Sequence, residues 1–421
     1  MPGQGRGPPV PGGAVLSDHD GLQAELTRIH REEYGRVVAS LARRFGDLDL
    51  AEDAAGEAFV AALERWPQDG IPPNPGGWLT TTATRKALDR IRRESHRDAK
   101  HKAAAMLHDP TPPEPTGAVE DDRLRLVFTC CHPALAPEAR VALTLKLVGG
   151  LTVGEIASAF LVQETTMGQR ITRAKRKIAD ARIPYRVPER EDLPARLSAV
   201  LAVVYLVFNE GYLASAGEAP IRGELCAEAI RLGRLLRQLL PEEPEVAGLL
   251  ALMLLTDARR DTRVAGGELV TLPDQDRGRW DRELIAEGHA LVRECLARNR
   301  PGHYQLLAAI NAVHTDAPEA AATDWSQIAQ LYDQLYAVSP TPVVALNRAV
   351  AVAELDGPEV ALALVDRLDL SSYHAWHATR ADLLRRLGRS EEAKAAYDAA
   401  IAATDNPAER AWLSRRRSQL G

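Results

Sequence analysis

"LTVGEIASAFLVQETTMGQRITRAKRKIAD", Leu151 to Asp180, decides how this chain folds. Thr152 is a good N-cap and Glu155, three residues on, completes a capping box, so a helix starts here. Val153, Ile156, Ala157 and Phe160 then share one face. The pattern breaks near Leu161–Val162 and restarts near Gln163. In the second segment Met167, Ile171, Ala174 and Ile178 recur at helical spacing on one side. Thr165, Gln169, Thr172 and Arg176 lie opposite, flanked by Thr166, Arg170, Arg173 and Lys177. A short capped helix, a tight turn and a basic second helix form the pattern of a DNA-binding helix-turn-helix. Side chains near the start of the second helix reach base edges, and the later bases suit phosphates. Taken alone, the hairpin also fits an ordinary amphipathic pair with a solvated basic face. Gly154 and Gly168 fall inside the two helices, each at a cost of about 1 kcal/mol against Ala.

The surrounding charge is uneven. The 421-residue chain has a formal charge of −6. Residues 1–185 hold 25 Lys and Arg against 24 Asp and Glu, whereas residues 186–421 hold 27 against 34. The bases of the first part gather in two stripes, Thr81–Lys102 and Thr165–Arg186, and local stripes matter more for polyanion binding than the total does. The acidic remainder is not composed for nucleic acid. At this length two to four domains are expected. The longest apolar run, Leu197 to Phe208, is too short to span a bilayer, and no signal peptide is visible. Four cysteines do not make a disulfide framework. The expectation is a cytoplasmic protein with no membrane partner.

Outward from the hairpin, helical periodicity dominates and no alternating strand segments support a sheet. The expected fold class is all-α: two small helical domains followed by a C-terminal helical array. The expected boundaries are a disordered, Pro/Gly-rich N-terminus over 1–17, a helical domain over 18–102, a Pro-rich linker over 103–120 containing "HDPTPPEPTG", the helix-turn-helix domain over 121–184, and a C-terminal domain over 190–421. In "ADLLRRLGRSEEAKAAYDAAIAATDNP", Ala393, Tyr397 and Ala400 stand where tetratricopeptide (TPR) helix pairs place small and aromatic packing residues. "TPVVALNRAVAVAELDGPEVALALVDRL" reads as a degenerate version of the same hairpin.

A second basic helix lies in "NPGGWLTTTATRKALDRIRRESHR", where Leu79, Ala83, Leu88 and Ile91 are expected to form a buried stripe. Thr81, Arg85, Asp89 and Arg92 fall on another face, with Thr82, Lys86 and Arg93 beside it. Hydroxyls, bases and a nearby aromatic suit a partly single-stranded nucleic acid. Trp78 on its own reads better as a core residue. Upstream, "DLDLAEDAAGEAFVAALERW" gives an acidic helix face from Asp49, Glu52, Asp53 and Glu57, which reads first as a solvated face and second as a protein docking site.

These pieces in this order resemble an extracytoplasmic-function (ECF, group IV, sigma-70 family) RNA polymerase sigma factor with a C-terminal TPR-like extension. "AEDAAGEAF", "GWLTTTATRKALDRIRR", a Pro-rich linker and the opening hairpin carry the resemblance over the first 185 residues or so. "FNEGY", "LLALMLLTDARR" and "DQDRGRWDRELI" resemble the extension of one ECF subgroup. The resemblance implies core RNA polymerase, through its β′ clamp helices and β flap, and promoter DNA as partners. It implies docking through Asp49, Glu52, Asp53, Glu57 and Phe59. It implies −10 reading by Trp78, Thr81, Thr82, Arg85, Lys86, Asp89, Arg92 and Arg93. It implies −35 reading by Thr165, Thr166, Gln169, Arg170 and Arg173, with Lys175, Arg176 and Lys177 toward phosphates. Gly56 and Gly168 depart from the family's pattern.

The remaining motifs are less directive. Cys130–Cys131–His132 lacks a spaced second ligand pair, so no metal is expected there and a buried helix end is the better reading. Asn209, Glu210, Tyr212, Asp274, Asp276, Arg277 and Trp280 form a candidate C-terminal groove, weighed against a salt-bridge network between helices. No nucleophile motif, phosphate loop or metal spacing supports an enzyme, and no cofactor is expected. The C-terminal array is expected to modulate activity, through contact with the sigma domains among other routes. The rival reading is a stand-alone helix-turn-helix regulator with a ligand- or partner-sensing helical domain.

Overall fold

The computed structural model describes residues 18–98, 122–160, 162–213, 221–266 and 268–420. The N-terminal segment 1–17 and the Pro-rich linker 103–120 lie outside the described residues. Eighteen α-helices and one two-stranded ribbon make up the described chain, so the all-α expectation holds. The helices divide between two compact units.

The first unit takes residues up to Cys130 together with 145–152 and 175–186. Its frame is α1 (Asp18–Phe45), α2 (Leu48–Asp69) and α3 (Pro75–Asp98), joined by α4 (Asp122–Cys130). Asp47 caps α2 by accepting from the Asp49 and Leu50 amides at 2.8 and 3.0 Å. The helix buries Ala51, Ala54, Ala55, Ala58 and Ala62 with Phe59 and Trp66. Small side chains at this seam let helix axes approach closely. On α3 the buried row is Leu79, Ala83 and Ala87. Of the other residues expected in the stripe, Leu88 is only half-buried and Ile91 is 39% exposed. An i, i+4 row turns about 40° per step around an ideal helix, so at Ile91 it has rotated off the buried face. Tyr185 ties the unit's end to its start, donating to the Ala39 carbonyl at 3.0 Å.

The second unit takes residues 131–144, 153–174 and 187 onward. It holds α5 (Pro137–Leu143), α6 (Val153–Ala159) and the greater part of α7 (Glu164–Asp180). Then come α8 (Leu193–Tyr212), α9 (Gly223–Leu239), α10 (Pro244–Asp257), the ribbon β1–β2 (Val264–Ala265, Glu268–Leu269), α11 (Arg282–Arg298) and α12 (His303–Asp316). α10 is buried along almost its whole length, from Val246 to Leu255, and packs between α9, α11 and α12. By length and composition α8 is apolar enough to cross a membrane. Leu197, Val200, Val204, Val207 and Phe208 are nonetheless buried in the protein. Helix pairs finish the chain: α13 (Trp325–Val338), α14 (Pro342–Leu355), α15 (Pro358–Val365), α16 (His374–Arg386), α17 (Ser390–Ala402) and α18 (Pro407–Ser418). Ala393, Tyr397 and Ala400 are fully buried in one cluster with Ala361, Val365 and Leu384, as the repeat spacing predicts. Gly357 and Gly388 turn the chain between α14 and α15 and between α16 and α17, at φ of 91° and 71°. That left-handed backbone explains glycine at both hairpins.

Candidate nucleic-acid interface

In the second unit, α6 ends at Ala159 and α7 restarts at Glu164, within a residue or so of the break that the sequence indicates. Met167, Ile171 and Ala174 are buried, as is Ile178 in the first unit. Thr165, Thr166, Gln169, Thr172 and Arg173 are exposed and Arg170 is half-buried. The Thr172 hydroxyl donates to the Gly168 carbonyl at 2.9 Å, and Arg173 Nε donates to the Gln169 carbonyl at 3.3 Å. These contacts hold side chains against their own helix and leave the Arg173 terminal amines for a ligand. Arg176 and Lys177 are exposed and have no ion-pair partner among the described residues. The expected polar face is therefore open, in helical order.

Lys175 departs from it. In the first unit its Nζ bonds the Asp49 carboxylate and lies 2.9 Å from Glu52 Oε2. Its side chain is 13% exposed and that of Glu52 is 16% exposed. Lys146 reaches the other oxygen of Glu52 at 3.3 Å. Burial lowers the affinity of Lys175 for its proton, but the bonds to Asp49 and Glu52 outweigh it and the pKa is raised. The structure thus ties to the acidic helix a lysine that the sequence assigns to phosphate. Lys146 was not singled out in the sequence; its only signal is a lone base in an otherwise apolar turn, "TLKLV".

The rest of the acidic helix is tied as well. Asp53 accepts from Arg90 Nη1 at 2.5 Å and Glu57 lies 3.6 Å from Lys86. All four candidate docking carboxylates thus carry a basic partner within the first unit. Phe59 is a correction: it is 8% exposed, with its ring centroid 4.6 Å from His30 and 5.8 Å from Tyr34, so it forms core and offers no docking surface. Its place on the alanine face of α2 puts it there. Burial, then the charges of Glu52 and Asp53, push the Tyr34 hydroxyl pKa up.

On α3, Thr81, Arg85, Asp89, Arg92 and Arg93 are exposed, and Thr82 and Lys86 are half-buried. Trp78 is half-buried too, in a T-shaped pair with buried Trp66 at 5.3 Å between ring centres, so part of it serves the core. Thr81 donates its hydroxyl to the Gly77 carbonyl at 2.9 Å. Arg92 lies 3.5 Å from Asp89, and Arg93 Nε donates to the Asp89 carbonyl at 3.3 Å. Arg85 has no ion-pair partner among the described residues.

The candidate groove of the second unit comes apart in the structure. Glu210 pairs with Arg222 at 2.9 Å, Asp274 accepts from the Thr271 hydroxyl at 2.5 Å, and Asp276 caps the Gly278 amide at 2.9 Å. Asn209 is exposed. Tyr212, Arg277 and Trp280 instead gather with Arg259, which lies within the signature "LLALMLLTDARR", and with Arg263, which the sequence did not mark. The four cysteines are buried and free, and burial pushes the Cys131 thiol up to about 11. No cluster of three or more metal-ligating side chains occurs among the described residues.

An open basic helix on a helix-turn-helix and a second basic helix packed on an acidic one define a promoter-reading class of protein, and the comparisons agree. Residues 30–97 match sigma-70 region 2 and residues 125–178 match sigma-70 region 4. Residues 196–296 match a family of unknown function, DUF6596. An uncharacterized protein of Rhizobium meliloti is 45% identical over 388 residues, 90% of this chain and 92% of the relative. A probable ECF RNA polymerase sigma factor SigI of Mycobacterium tuberculosis is 32% identical over 231 residues, 52% of this chain and 77% of the relative. The ECF RNA polymerase sigma factor SigE of Mycolicibacterium smegmatis is 30% identical over 179 residues, 40% of this chain and 67% of the relative. No solved structure matches. The chain belongs to the ECF RNA polymerase sigma factors.

Proposed function

We propose that the chain is an alternative sigma factor that binds core RNA polymerase, reads −35 and −10 promoter elements and directs transcription initiation, with its C-terminal helical unit modulating that activity. The observation that carries the reading is the exposure of Thr165, Thr166, Gln169 and Arg173 over a buried Met167–Ile171–Ala174 stripe. That is the arrangement by which a recognition helix meets the major groove. On α3, Arg85, Arg92 and Arg93 serve the −10 strand and its phosphates, and the exposed part of Trp78 offers a stacking surface for an unpaired base. Asp49, Glu52, Asp53 and Glu57 serve the polymerase, and in the free chain these carboxylates hold Lys175, Lys146, Arg90 and Lys86. Docking is then an exchange of internal for external cations.

Run-off transcription with the full chain, core RNA polymerase and a genomic promoter library tests this. Discrete starts that depend on the chain are expected. Tight duplex binding by the chain without polymerase, with no dependent starts, would instead indicate a stand-alone regulator. Loss or gain of initiation on removing residues 190–421 checks the role of the extension.

A further inference from the structure

The second unit contains a group of cations that promoter reading does not use. Arg259 stands just after α10 and is 6% exposed. Its Nη2 donates to Asn311 Oδ1 at 2.7 Å, and its guanidinium lies 6.0 Å from the Trp280 ring centre. Its Nε is buried and has no hydrogen-bond partner. Arg263 stacks 4.1 Å from the Tyr212 ring centre and donates to the Tyr212 oxygen at 3.1 Å. Its Nε is buried and unmatched as well. Arg277 lies 4.6 Å from the Trp280 ring centre and donates to the His314 and Ala317 carbonyls at 2.5 and 2.8 Å.

Every one of these partners is neutral. Among the described residues no carboxylate pairs with any of the three arginines. The carboxylates near them in sequence are engaged elsewhere: Asp257 and Asp261 with Arg260 at 3.2 and 3.7 Å, Asp274 at the Thr271 hydroxyl, Asp276 at the Gly278 amide, and Asp281 at the start of α11. Carbonyls, an amide and π faces orient guanidinium groups but do not neutralise them, and a desolvated cation without a counter-charge is strongly unfavourable. Burial and the charges of Arg259 and Arg277 also push the His314 imidazole down to about 4, a local mark of positive potential. Arg259 is buried, while Arg263, Arg277 and Tyr212 keep partial exposure to solvent.

We propose that Arg259, Arg263 and Arg277 form an oxyanion-binding site for a phosphate dianion, free or carried as a small phosphomonoester. Three cations favour a dianion over a single carboxylate, and planar guanidinium forks match pairs of phosphate oxygens. The site does not depend on how α3 and α7 read DNA.

The test uses the full chain. Thermal melts and calorimetric titrations are run with inorganic phosphate, with phenyl phosphate, and with sodium chloride at matched ionic strength. A saturable rise in melting midpoint with phosphate and not with chloride is expected. Arg263→Gln, at the partly exposed edge, should weaken apparent affinity at least tenfold, and Arg277→Lys, which keeps charge but loses the fork, should weaken it too. If Arg263→Gln does not fold, Arg277→Lys carries the comparison. Binding of phenyl phosphate assigns the site to phosphomonoesters, and binding of inorganic phosphate alone assigns it to the free ion. No saturable response, an equal response to chloride, or unchanged affinity in the folded variants overturns the proposal.

Discussion

Lys175→Met should make the free chain bind core RNA polymerase more tightly. The substitution keeps the aliphatic stem and deletes the cation that bonds Asp49 and Glu52. An exposed ion pair contributes less than about 1 kcal/mol, and breaking a fully buried one costs about 3–5 kcal/mol. This pair lies between those limits, with side chains 13% and 16% exposed, and Glu52 keeps Lys146 at 3.3 Å when Lys175 is gone. The share held by Lys175 is therefore about 1–2 kcal/mol. If docking must first release that contact, removing it raises the fraction of competent chains, and affinity rises about 5- to 30-fold. The assay is equilibrium binding of full-length protein to core polymerase, without DNA and at fixed salt, so that any part Lys175 plays at phosphates does not enter. Glu52→Gln breaks the same ion pair but also removes a carboxylate proposed to dock, and on that proposal it should weaken binding about tenfold. A merely structural role for the pair would move both variants in the same direction. That result, or an affinity for Lys175→Met within twofold of wild type, refutes the reasoning.

Four further outcomes are expected. Arg173→Ala should cost promoter complexes about 1–3 kcal/mol and relax preference at one −35 position. Lys177→Ala should weaken all promoters alike and lower the salt slope by about 1, both effects being measured by filter binding of holoenzyme across salt. Phe59→Ala should destabilise the first unit by about 3–5 kcal/mol in urea unfolding, whereas a variant of normal stability with lost core binding would return Phe59 to the docking face. His314 has a folded pKa of about 4, below the ordinary value of 6.5, so the unfolded chain binds its proton first on acidification. The stability it contributes is complete above about 6.5 and is lost as the pH falls toward 4, with about 2 kcal/mol gone between pH 7 and 5. A His314→Gln variant should lack that share of the acid sensitivity in paired urea titrations.

Features set by neighbouring residues were readable from the sequence. The α6–α7 break, the Met167–Ile171–Ala174–Ile178 stripe and the Ala393–Tyr397–Ala400 spacing follow from helical periodicity over a few turns, and each stands where that periodicity puts it. What escaped depends on which helices meet. Lys175 and Glu52 are 123 residues apart, and nothing local distinguishes Lys175 from Arg176 or Lys177 beside it. Phe59 lies four residues before Leu63, which is exposed, so the composition of that stretch of α2 does not tell which aromatic or aliphatic faces inward. Arg259, inside the signature "LLALMLLTDARR", and Arg263, three residues beyond it, carry no local pattern that marks a site. Only the approach of Tyr212, Trp280 and Asn311 gives them a different meaning.

The pairing on α2 also bears on why so acidic a chain keeps basic stripes. Asp49 and Asp53 are well exposed, so their bonds to Lys175 and Arg90 are weak in water and exchange readily for partners on another protein. Glu52, enclosed by two lysines, is the slower part of that exchange. A docking partner that supplied cations to Asp49 and Glu52, as proposed above, would release Lys175 toward the basic stripe of α7. On this account polymerase binding and DNA binding reinforce each other through the same charges. If that proposal holds, a charge-neutral α2 face should uncouple the two, raising DNA binding by the chain alone while lowering its affinity for the core.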